Sequence, residues 1–371
     1  MKKLFYLLSI IPVTLIGSCS GDGPSGPDSS DFDRQVMLEN WADNIIIPAF
    51  ASFSEQTAAL NTAAEHFASD PTQPHLDELR EAWETAYLSF QQVSMFEIGQ
   101  AMQLHFRDNL NLYPTDTEEI TGNIEGGSYN LELPSLYDSQ GFPALDYLLY
   151  GLAASDAAIL DHYTQGDHAG AYVAYLTDLT ARMDDLTHSV STHWEEEFRD
   201  DFVQHDGNAD NSSVNSMVND YIFYYEKALR AGKVGIPAGV FSGTPLSTHV
   251  EAYYRKDLSK SLLLEALDAT QNFFNGRHYN SNETGESLKT YLDYLNTMKN
   301  GADLSGLVNG QFEAARNEIQ SLDDNLVYQV ESDHSKMLTA YDALQLNVVY
   351  MKVDMLQALN IGVDYVDADG D

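Results

Sequence analysis

From Tyr172 to Phe202 large apolar side chains recur every three or four residues: Tyr172, Leu176, Leu179, Met183, Leu186, Val190, Trp194, Phe198 and Phe202. A strand would send alternate residues to opposite faces. A helix of about 3.6 residues per turn gathers these onto one stripe. A stripe that long needs other helices to cover it, so it predicts a bundle. The same spacing runs through Leu76, Leu79, Trp83, Tyr87, Phe90 and Val93. It returns at Val214, Met217, Val218, Tyr221, Ile222, Tyr225 and Leu229. Further helices are expected near 32–67, 155–163, 247–274, 284–300, 304–326 and 333–360. Pro48 should break or kink the first of these. Asp70-Pro71 should start the next long helix. No run of alternating residues announces a sheet, and the fold class is all-α.

Three stretches lose the period. Residues 109–141 hold Pro114, Gly122, Gly126, Gly127 and Pro134. Loops that long inside a compact domain are uncommon and often functional. Residues 207–213 are polar and separate two halves, 32–206 and 214–371. A second Gly- and Pro-rich insert, 232–245, interrupts the latter half. Residues 361–366 alternate weakly and predict a short extended tail.

The N-terminus has a different character. Lys2 and Lys3 precede an apolar run, Leu4 to Ile16, too short to span a bilayer comfortably. Residues 1–18 therefore form an expected secretory leader. It ends Ile16-Gly17-Ser18-Cys19, the pattern of a bacterial lipoprotein. Cys19, the one cysteine of the chain, is the expected lipidation site. The lipid bilayer is thus an expected partner, and the cell envelope the expected location. Ser20 leans that location toward the outer membrane. Residues 19–31, rich in Gly, Pro, Ser and Asp, form a flexible tether.

A formal charge of −38 excludes nucleic acid as a partner and disfavours anionic lipid headgroups. A single cysteine excludes internal disulfides and multi-cysteine metal sites. His-Glu-x-x-His, Gly-x-Ser-x-Gly and phosphate-binding glycine loops do not occur.

The remaining signal lies in 139–151, Ser-Gln-Gly-Phe-Pro-Ala-Leu-Asp-Tyr-Leu-Leu-Tyr-Gly. Gly141 shapes a turn, Pro143 suits the first turn of a helix, and Leu145, Leu148 and Leu149 form an apolar stripe. Asp146 is placed in that first turn, favoured by the helix dipole. The stretch resembles the Gly-x-His-x-x-Glu signature of the imelysin-like family, peptidase family M75, which is related to envelope iron-uptake proteins of the EfeO type. Gly141 matches, while Pro143 replaces the histidine and Asp146 the glutamate. The segments 111–116, 233–239 and 363–371 also resemble the family, and the likeness covers most of the mature chain.

That resemblance implies two helical bundles packed around a cleft, with the signature in the cleft. Tyr113, Pro114 and Asp116 would stand beside Asp146, and Lys233 and Pro237 would come from the opposite half. Asp146 and Asp116 are the candidate metal ligands, suited to a hard divalent cation. Without histidine they suit zinc or iron poorly, unless His105 or another imidazole converges there. The implied function is a non-catalytic envelope binding protein for iron, haem or another ligand, working with uptake components. A metallopeptidase and a scaffold with a remnant cleft are the alternatives. Other acidic clusters read as solvated surface: His193 with Glu196, Asp184 and Asp185 with His188, and the tail 367–371.

Overall fold

The computed structural model describes residues 32–207, 209–299 and 301–365. The leader, Cys19, the tether and the acidic tail 367–371 lie outside the described residues. Helices dominate, as the spacing predicts. In the N-terminal part Ile47–Ser69 packs along both Gln73–Val93 and Ala169–His193. In the C-terminal part Leu304–Gln320 packs on Leu326–Val348 and on Ser259–Phe274. Leu326–Val348 also lies on the segment Tyr224–Gly235, which continues the helix Ser213–Phe223. Gln73–Val93 against Ser259–Phe274 joins the two groups. This packing agrees with a two-bundle arrangement. Among the described residues the strands are Met298–Lys299 and Ala302–Asp303, one small antiparallel pair.

The seam of Ala169–His193 is buried from Leu176 through Val190, and Trp194 and Phe202 continue it. Tyr172 and Phe198 sit at its rim, packed against the same core. Trp83, Tyr87 and Phe90 of Gln73–Val93 are fully covered. Each such side chain contributes about 1.5–3 kcal/mol of transfer free energy. One continuous apolar core runs through both helix groups. The segment 32–46 precedes the first group in sequence but reaches the second. Phe32 stacks on Tyr291 at 4.2 Å, and Asn40 donates to the carbonyls of Gly276 and Glu286.

Several boundaries differ from the sequence expectation, each for a local reason. Asp70 ends the helix Ile47–Ser69, and the next begins at Gln73, after Thr72 and with Pro74 in its first turn. Pro48 does not break its helix. It occupies the first turn of Ile47–Ser69, directly after a widened π-type stretch, Asn40–Ile46. Residues 109–141 are not irregular throughout. They include the end of Phe106–Asn111, then Thr117–Gly126 and the 3₁₀ stretch Pro134–Ser139, too short to display a period. The expected helix 247–274 is helical as an α-helix only from Ser259. Before it come the 3₁₀ turns Ser247–His249 and Lys256–Leu258, with an irregular strap between them. Among the described residues of 284–300, only Leu288–Tyr294 is helical. The last long helix starts at Leu326 and kinks at Asp333. Residues 361–365 form no strand.

Candidate functional site

Gly141 opens the helical turn Gly141–Asp146 with φ +73°, in the left-handed region that favours glycine. A Cβ there would stand 2.3 Å from the Leu110 carbonyl oxygen, so the turn lies against the backbone of Phe106–Asn111. Phe142 stacks on Tyr87 at 4.4 Å, and Trp83 donates its indole N–H to the Phe142 carbonyl. The helix therefore begins two residues before Pro143. Asp146 falls at the end of this piece rather than in its first turn, where the chain widens into the π-type segment Tyr147–Gly151.

The Asp146 carboxylate is buried, and each of its oxygens accepts a backbone amide. One oxygen accepts from the Tyr254 N–H at 2.8 Å and the other from the Arg255 N–H at 2.9 Å. It is neither a dipole anion nor a cap for its own helix. It ties the strap 250–255 to the signature turn. Burial pushes its carboxyl up to about 7, against the two amides and the Arg255 guanidinium, which favour the charged form. Arg255 is itself held by Glu84 at 2.5 Å.

The other expected site residues disperse. Asp116 is exposed and caps Thr117–Gly126, accepting from the amides of Glu118 and Glu119. Pro237 is buried in the turn Ile236–Ala238, where its carbonyl accepts from Leu246 and closes the following loop. His105 is exposed, with its ring 6.2 Å from that of Tyr137. His193 pairs with Glu197 rather than Glu196, and Asp184 accepts from the Thr57 hydroxyl.

Tyr113 and Lys233 do meet. Both line a hollow of about 270 Å³ between the helix groups. Its walls are largely aromatic and aliphatic: Phe90, Leu112, Tyr113, Phe223, Tyr224 and Ile236. Tyr113 also borders a second hollow of about 210 Å³, in front of Pro143 and Asp146. Against Lys233 stands Glu251, which no motif or spacing singles out. The two are ion-paired and almost fully buried. Glu251 also accepts from Asn111 at 2.7 Å, and Asn111 accepts from the Tyr87 hydroxyl at 2.6 Å. A buried polar chain thus runs from the first helix group to the second. Burial pulls the Lys233 ammonium down, and Glu251 opposes that shift. Burial and the Glu251 charge push the Tyr113 and Tyr87 phenols well above their ordinary range.

Arg107 was likewise missed. It enters the wall from Phe106–Asn111, donating to the Ser94 carbonyl at 2.7 Å and pairing with Asp220 at 3.2 Å. Its guanidinium lies 5.3 Å from the Tyr224 ring centre. Burial pulls its pKa down, and Asp220 and Glu97 more than reverse the shift. The signal for such residues is weak in sequence, because ion-pair partners far apart in the chain carry no fixed spacing.

A family model for peptidase M75, imelysin, matches residues 46–349. The chain belongs to the imelysin family. A curated relative, iron-regulated protein A of Synechococcus elongatus, is 25% identical over 160 residues, spanning 43% of this chain and 40% of the relative. Two crystal structures share the imelysin fold. A Parabacteroides distasonis protein described as an iron-regulated protein A precursor matches with TM-score 0.71 at 16% identity, covering 90% of this chain and 97% of its own. An imelysin-like protein from Psychrobacter arcticum matches with TM-score 0.67 at 14% identity, covering 91% and 98%.

The signature implies a metal in imelysin relatives, and the residues of this chain do not fit one. Pro143 offers no donor atom. Both Asp146 oxygens accept backbone amides. The adjoining hollow adds Tyr, Thr, Pro, Val and Ala side chains but no imidazole. Among the described residues no group of three or more His, Cys, Asp or Glu is placed to hold a metal ion.

Proposed function

We propose that this chain is a non-catalytic binding member of the imelysin family, working at the cell envelope in iron acquisition. The observation that carries the reading is the engagement of Asp146. Its carboxylate fastens a strap where the family signature would offer a ligand, and the open hollow beside Tyr113 and Lys233 is left for binding. The iron connection follows from the relatives described as iron-regulated. The envelope location follows from the leader and Cys19. Lipidation at Cys19 is the proposed anchor, and no described helix is long and apolar enough to cross a membrane. At about 270 Å³ the hollow falls below the roughly 300–1,000 Å³ usual for drug-sized ligands, which favours a ligand smaller than haem.

The test combines metal analysis, peptide hydrolysis and thermal unfolding with ferric citrate as the probe. The expected result is no stoichiometric zinc, no cleavage, and a melting temperature raised by ferric citrate. Stoichiometric zinc with cleavage, both lost in Asp146→Ala, would overturn the reading in favour of a peptidase. Cys19→Ala is expected to move the protein from the membrane fraction to the soluble one.

A further inference from the structure

The hollow beside Tyr113 and Lys233 is unusual for its charge. The chain has 19 Lys and Arg against 57 Asp and Glu. Three of those cations, Arg107, Lys227 and Lys233, line this one concavity, and Asp108 is the single acid among its walls. Their counter-acids stand elsewhere. Asp220 holds Arg107, Glu226 holds Lys227 and Glu251 holds Lys233, and none of the three lines the hollow. The acids therefore offset the cost of burying the cations from outside the lining, while the cationic residues form part of the wall.

Donor capacity points the same way. A guanidinium carries five N–H groups and an ammonium three, with no acceptor on either. Arg107 gives one bond from Nε to Ser94 and one from Nη2 to Asp220. Lys233 gives one to Glu251. Both cations thus keep N–H groups beyond these bonds, in a wall rich in rings. A ligand that satisfies both features joins an acceptor-rich anionic end to a compact apolar body.

We propose that this hollow binds a small organic carboxylate built on one aromatic or alicyclic ring, its carboxylate set against Arg107, Lys227 and Lys233 and its ring among Phe90, Tyr113 and Tyr224. The proposal deepens the binding role stated above and rests on that reading for its physiological setting, though not on iron. The acidic exterior repels such an ion weakly in physiological salt, because charges beyond about 8 Å are screened. Inside the hollow the low dielectric strengthens each contact.

The experiment is isothermal titration of the full chain with benzoate and cyclohexanecarboxylate, against benzamide and benzylamine. Both carboxylates are expected to bind about tenfold more tightly than benzamide, with benzylamine weaker still. Raising the salt to about 0.5 M is expected to weaken the carboxylates severalfold and leave benzamide unchanged. Lys227→Gln, at a part-exposed position, is expected to cost about fivefold for benzoate alone. Ala228→Phe fills the hollow and is expected to abolish binding of every probe, with circular dichroism confirming the fold. Equal binding of benzoate and benzamide, or benzoate binding that survives Ala228→Phe, would overturn the proposal. Failure of both carboxylates to bind overturns it too, and leaves the binding role to stand or fall on the ferric citrate and hydrolysis result.

Discussion

Asp146, Lys233 and Glu97 each carry a buried or part-buried charge, and each makes a distinct prediction. Asp146→Ala strips the part-buried amides of Tyr254 and Arg255 of their acceptor and is expected to cost about 2 kcal/mol. Urea unfolding would show a lower midpoint at an unchanged slope. Lys233→Met leaves Glu251 charged and nearly inaccessible, and is expected to cost about 3–5 kcal/mol. Adding Glu251→Leu is expected to recover part of that loss, read as a coupling energy in a double-mutant cycle. Glu97 has its carboxyl raised to about 7, chiefly by burial, with Arg107 opposing and Asp220 reinforcing. Its folded pKa lies above the free value. The folded chain thus holds an extra proton between about pH 4.5 and 7, and stability falls as pH rises through that window. The slope from one such group is at most about 1.4 kcal/mol per pH unit. Glu97→Gln is expected to flatten the pH dependence of the melting temperature there.

At the scale of elements, the strap 250–255 depends on the signature turn. In Asp146→Ala, hydrogen exchange at the Tyr254 and Arg255 amides is expected to quicken by about tenfold or more, while Ser259–Phe274 keeps its protection. The strap also shows where sequence stops being informative. The long helices were legible because Leu176 to Val190, or Leu76 to Val93, repeat a single period over several turns. The helix expected over 247–274 runs through the strap, which is irregular in the fold. Its true conformation is set by a carboxylate more than a hundred residues earlier in the chain. The five π-type stretches among the described residues are hidden for a related reason. A widened turn shifts the stripe by one residue, which a three-or-four spacing already allows. At the candidate site, Tyr113 and Lys233 were placed by likeness to a family. Glu251 and Arg107 could not be, since a buried ion pair is a fact of folding rather than of spacing.

The whole molecule sets a long apolar core against a strongly acidic chain. Like charges at this density favour expansion. Raising the salt from about 10 mM to about 200 mM shortens the screening length from roughly 30 Å to under 10 Å. The melting temperature is expected to rise by a few degrees with sodium chloride, measured by differential scanning calorimetry. The join between the groups resists the same expansion, because it combines apolar packing of Gln73–Val93 on Ser259–Phe274 with the chain Tyr87, Asn111, Glu251 and Lys233. The hollow lies beside that join, so an occupant there would touch both groups at once.

The rivet at Asp146 also governs what mutation can and cannot undo. An imidazole placed at position 143 would supply a donor beside an oxygen pair already bound to the amides of Tyr254 and Arg255. A metal centre at this turn would need the strap rerouted in the same step, so a single substitution at position 143 gains nothing.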